Sequence, residues 1–145
     1  MQGQNLSKEE KQLLQIIERN YDESVRFLET TVNINSGTHN VAGVKQVGKL
    51  YQTELDKLGF TTRWIDMPAD MKRAGHLYAE RKGKTGKRVL LIGHLDTVFE
   101  PDSPVQKWVR RDSVAYGPGT NDMKGGNMVI LYALKALNEA GLLKD

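Results

Sequence analysis

No cysteine occurs in the 145 residues, which excludes disulfides, thiolate zinc sites and cysteine nucleophiles together. No apolar run approaches the roughly 20 residues that a membrane-crossing helix needs, so no membrane partner is expected. The opening Met1-Gln2-Gly3-Gln4-Asn5 lacks the basic start, apolar centre and small-residue cleavage site of a secretory leader. The compartment stays open between cytoplasm and export. An excess of one charge is also missing: 21 Lys and Arg face 18 Asp and Glu, and a net +3 gives little reason to expect a nucleic-acid partner. The densest basic stretch, Arg81-Lys82-Gly83-Lys84-Thr85-Gly86-Lys87-Arg88, holds two glycines and lies between strand-like runs. It reads as an exposed hairpin turn rather than a phosphate-binding patch.

What is present suffices for one globular domain, since 39% of the residues are hydrophobic. Ser7 followed by Glu10 reads as a capping box, and Leu13, Leu14, Ile17, Tyr21, Val25 and Leu28 follow at helical spacings. One long helix, or two broken near Asn20 to Asp22, is expected. Val41, Val44, Val47, Tyr51, Leu55 and Leu58 mark another helix, with Gly59 placed for a left-handed cap. Phe60 to Met67 and His76 to Glu80 have strand composition. Arg88 to His94 has a continuous apolar centre, as expected of a strand buried on both faces in the middle of a sheet. Phe99 to Gly119 is mostly loop, with room for a small hairpin at Trp108 to Val109 and Val114 to Tyr116. A last helix is expected from about Met123 to Ala140, burying Val129, Ile130, Leu134 and Leu137. Helices alternating with strands argue for a layered α/β fold.

Two clusters carry chemistry. In Gly93-His94-Leu95-Asp96-Thr97, residues two apart in extended chain face one side, so His94 and Asp96 can share a site at a strand's carboxyl end. Imidazole suits zinc, and a nearby carboxylate can orient it, although a polar strand end has the same composition. The second cluster, Tyr116-Gly117-Pro118-Gly119-Thr120-Asn121-Asp122-Met123-Lys124-Gly125-Gly126, delivers Asp122 to a helix start, where an ordinary cap is the simpler role. Phosphate binding does not fit. Lys124 precedes glycine rather than Ser or Thr, and the third glycine of a dinucleotide fingerprint would fall on Asp122.

Together, His-Leu-Asp-Thr-Val and Gly-x-Gly-x-x-Asp-Met-Lys-Gly-Gly resemble the co-catalytic zinc metallohydrolases: glutamate carboxypeptidases, aminoacylases, acetylornithine deacetylase and succinyl-diaminopimelate desuccinylase. Val32-Asn33-Ile34-Asn35-Ser36-Gly37-Thr38 and the helix after it look like the carboxypeptidase branch, so the likeness runs from about Tyr21 to Gly141. The resemblance implies an α/β zinc-exopeptidase-like catalytic domain with a central mixed sheet flanked by helices, of which residues 1–145 are the amino-terminal part. It implies that His94 ligates one of two zinc ions, that Asp122 bridges both, and that Asp96 is the catalytic-site acid supporting His94 without ligating. The metals would polarise a scissile amide carbonyl and activate a water. A cis peptide between Asp122 and Met123 is expected from the same likeness.

The implied substrate is a peptide or an N-acyl amino acid. The general base, one of an adjacent Glu-Glu pair after the last helix, and the remaining ligands would lie beyond Asp145. His39 and His76 fall in no matching motif. The chain alone is therefore expected to bind zinc weakly or not at all, to be inactive, and to associate, as a homo-oligomer or otherwise, through uncovered sheet edges. The alternative is a truncated, non-catalytic domain that acts through protein contacts.

Overall fold

The structure is a computed structural model and describes residues 5–143. The opening residues Met1 to Gln4, on which the leader argument partly rests, and the end at Asp145 lie outside the described residues. Helices α1 (Lys8–Arg19), α2 (Tyr21–Val32) and α3 (Val41–Lys57) come first, then strand β1 (Thr61–Ile65), a 3-10 turn at Ala69–Met71 and β2 (His76–Glu80). Strands β3 (Val109–Arg111) and β4 (Val114–Tyr116) lead to helix α4 (Lys124–Glu139). Mixed helices and small antiparallel sheets place the chain in the α/β class that the sequence suggested.

The capping box forms, with the Ser7 hydroxyl accepting from the Glu10 amide and the Glu10 carboxylate accepting from the Ser7 amide. The expected break falls at Asn20, which ends α1 and begins α2. That break divides the apolar stripe: Ile16 and Leu28 are buried, whereas Leu14, Ile17 and Tyr21 remain about half exposed. Helix α3 buries Val44, Val47 and Tyr51, and Gly59 closes it with a φ of 79°. Strands β1 and β2 pair antiparallel from Thr61 opposite Glu80 to Ile65 opposite His76. The 109–116 hairpin also forms, with Val109 opposite Tyr116.

The core lies where α2, α3 and α4 meet. Val47, Tyr51, Leu58, Leu131 and Tyr132 form its centre, and the Phe27 ring meets Tyr51 edge-on at 5.2 Å. Helix α4 turns Leu131, Tyr132 and Ala136 inward, so Val129, expected on the buried side, faces out at 61% exposure.

One larger departure concerns Arg88 to His94, which joins no strand. The described strands form two separate hairpins, and none pairs with this segment. Val89, Leu90 and Ile92 are consequently 76–78% exposed. The composition of a doubly buried strand is present, but composition alone cannot form a ladder. Arg81 to Arg88 is exposed, as expected of a turn, although no strand follows to complete a hairpin.

Candidate active site

A cleft of about 250 Å³ opens where the 88–94 segment ends, walled by Thr38, by His94 to Phe99 except Leu95, and by Gly117 to Asp122 except Pro118. Local packing sets its shape. A single parallel bridge joins Gly37 to Thr97: the Thr97 amide donates to the Ser36 carbonyl at 2.8 Å and the Thr38 amide to the Thr97 carbonyl at 3.1 Å. Behind His94, the Asn127 side-chain amide donates to the His94 carbonyl at 2.6 Å. A Cβ at Gly93 would collide with the Asn127 Oδ1, so a side chain there would displace the amide that holds the His94 carbonyl.

The three expected site residues come together. His94 Nδ1 lies 2.9 Å from the backbone oxygen of Asp96 and 3.3 Å from its Oδ1. His94 Nε2 lies 2.9 Å from Asp122 Oδ1. The peptide between Asp122 and Met123 is cis. His39 and His76 do not line the cleft.

The ring contacts constrain the charge of the site. A carbonyl oxygen only accepts, so Nδ1 carries a proton and donates it to Asp96. In neutral imidazole, Nε2 then presents a lone pair to an oxygen of Asp122, which is also an acceptor. With Asp122 ionised, two acceptors at this distance are held together when Nε2 is protonated or when a cation serves both. Partial burial opposes protonation of His94, but hydrogen bonds to Asp122 and to the Asp96 backbone, with the two carboxylate charges, outweigh it and raise the pKa. The pair selects for positive charge.

Thr38, read from the sequence only as the end of the 32–38 stretch, also stands in the wall. The Thr38 hydroxyl donates to Asp96 Oδ2 at 2.6 Å, fixing the carboxylate whose other oxygen faces His94. The two residues are 58 positions apart, and no local pattern couples them. Among the described residues, no group of three or more His, Cys, Asp or Glu side chains could hold a metal ion. His94 and Asp122 are donors of the right type for zinc but are two where a stable site commonly has four.

Residues 90–145 match the family model described as Peptidase family M20/M25/M40. Carboxypeptidase G2 from Pseudomonas sp. (strain RS-16) is 39% identical over 120 residues, covering 81% of this chain and 28% of that relative. Succinyl-diaminopimelate desuccinylase from Delftia acidovorans is 30% identical over 121 residues, covering 77% of this chain and 30% of the relative. A third relative, N-formyl-4-amino-5-aminomethyl-2-methylpyrimidine deformylase from Bacillus subtilis (strain 168), is 23% identical over 139 residues, covering 87% and 31% respectively. The chain belongs to the M20 peptidase family, and it spans under a third of the length of these relatives.

Proposed function

We propose that this chain contributes one side of the two-zinc active site of a hydrolase that cleaves an amide bond in a peptide or an N-acyl amino acid. The observation that carries the reading is the acceptor pair formed by His94 Nε2 and Asp122 Oδ1, 2.9 Å apart at the cleft. In this reading His94 and Asp122 hold metal and Asp96 is the catalytic-site acid behind the imidazole. Zinc, when bound, supplies Lewis acidity toward the amide carbonyl and toward water. Asp96 keeps the Nδ1 proton in place and Thr38 keeps Asp96 in place, which leaves the Nε2 lone pair free for metal.

The relatives' names, a carboxypeptidase, a desuccinylase and a deformylase, agree with acyl–nitrogen cleavage as the shared chemistry. The carboxylates lining the cleft are Asp96 and Asp122, both already assigned, so a general base has to come from elsewhere. On this reading residues 1–145 are an incomplete catalytic domain and turn over no substrate alone. The bare apolar segment at Val89 to Ile92 favours association, with another copy or with other chain. The same exposure also favours the second reading, a non-catalytic domain acting through protein contacts.

The deciding experiment assays the full-length gene product on N-acyl amino acids and dipeptides, with and without chelator. Loss of activity on chelation and its recovery with zinc are expected; activity indifferent to chelator would sink the proposal.

A further inference from the structure

The side chain of Lys124 takes no part in lining the cleft, yet it is fully buried. Its ammonium donates to the Thr31 carbonyl at 2.8 Å and to the Ile34 carbonyl at 3.0 Å, at the carboxyl end of α2. Its own carbonyl accepts from the Tyr51 hydroxyl at 3.3 Å. A cation is unfavourable at the first residue of α4 but favourable at the end of α2, where carbonyls lack helical partners. The location therefore serves α2 and its following loop, not α4.

That loop supplies Thr38 to the wall that holds His94 and Asp96, and the Asp122 loop forms the wall opposite. Four residues after Ile34 comes Thr38, which grips Asp96. Two residues before Lys124 comes Asp122. Between them, the Lys124 stem fills the space beside Gly119, whose φ is 81°: a Cβ there would stand 2.9 Å from Lys124 Cγ and 2.9 Å from Thr97 Cγ2. The same stem thus touches the Gly119 turn while its tip holds the α2 end.

Resting on the metal-site reading above, we propose that Lys124 is a positioning residue: its ammonium, seated on the α2 carbonyls, sets the spacing between the Thr38–Asp96–His94 half of the cleft and Asp122. The conserved quantity under this arrangement is the His94–Asp122 separation, which neither residue fixes by its own burial.

The test uses the full-length gene product with Lys124→Met, which keeps the stem and removes the ammonium, and Lys124→Arg, which keeps the charge. Zinc affinity is read by competition with a chromophoric chelator, well below the Tm and with far-UV circular dichroism unchanged. Lys124→Met should weaken zinc by about tenfold and lower kcat more than it changes KM, with partial rescue in Lys124→Arg. A purely structural lysine would lower Tm alone, and zinc affinity within twofold of the parent in folded Lys124→Met overturns the proposal. Should Lys124→Met fail to fold, Tyr51→Phe removes only the hydroxyl that steadies the Lys124 carbonyl; about threefold weaker zinc supports the proposal and unchanged affinity overturns it. The metal-free protein supplies a separate reading. Lys124→Met, or Tyr51→Phe in its place, should shift the His94 ring nitrogen resonances, and unshifted resonances count against positioning. A parent protein that binds no zinc would refute the metal-site reading, while the ring resonances still decide the role of Lys124.

Discussion

The Asp122 side chain is 81% exposed, so its position depends on its loop rather than on enclosure. Asp122→Asn keeps the shape and removes the charge that stands opposite His94. On the proposed metal-site reading, in which Asp122 is a ligand, this substitution should weaken zinc in the full-length protein by more than about 100-fold, measured by chelator competition, since even a partner outside the ligand set costs about 10- to 100-fold. Thr38→Val removes the 2.6 Å hydrogen bond to Asp96 without changing side-chain size much. Activity should fall by about tenfold with the Tm nearly unchanged, in a paired kinetic and thermal assay. That His94, Asp96 and Asp122 lie together could be expected from sequence because each stands in a short motif. The pairings of Thr38, Asn127 and Lys124 were not legible, even where the residue itself stands in a quoted motif, because the partners lie far along the chain and leave no periodic trace.

Among the elements, the helices and the hairpin strands could be read from spacing and composition, since Val44, Val47 and Tyr51 lie on one stripe of α3 and the β1 residues alternate in exposure. The face of α4 was harder to read, because its neighbours rather than its own pattern decide that Leu131 goes in and Val129 stays out. Leu131 is 1% exposed, and Leu131→Ala should cost about 3 kcal/mol in urea unfolding. Three helices are also joined by charge: Lys135 on α4 pairs with Glu23 on α2 at 3.0 Å and with Glu54 on α3 at 2.7 Å. Burial raises the Glu54 pKa, but hydrogen bonds from Lys135 and Lys57 outweigh it and the net shift is downward. The bond from Lys135, then that from Tyr132, likewise lowers Glu23. A depressed carboxylate contributes stability that is complete above its unfolded value and is lost as pH falls through the folded one. Unfolding free energy should therefore drop as pH falls below about 4.3, and Lys135→Met should flatten that dependence in urea titrations at several pH values.

For the whole molecule, the 88–94 segment shows why a strand cannot be settled by its own residues. Leu90 and Ile92 are 78% and 76% exposed, and among the described residues no strand pairs with them. Sedimentation velocity of the 145-residue chain should show concentration-dependent association that Leu90→Lys and Ile92→Lys suppress; a monomer at all concentrations would contradict the association reading. The contacts that frame the cleft share one further property. Thr38 meets Asp96 across 58 positions, and Lys124 meets the Thr31 carbonyl across 93. Contacts of such separation close large loops and form only after that entropy has been offset by local structure. The helices and the β1–β2 hairpin can therefore assemble early, whereas the cleft takes shape late. In native-state hydrogen exchange, the amides of Thr38 and Thr97, which rest on one isolated bridge, should open at lower free energy than those in the middle of α3, so the cleft can come apart and re-form while the helices beneath it stay intact.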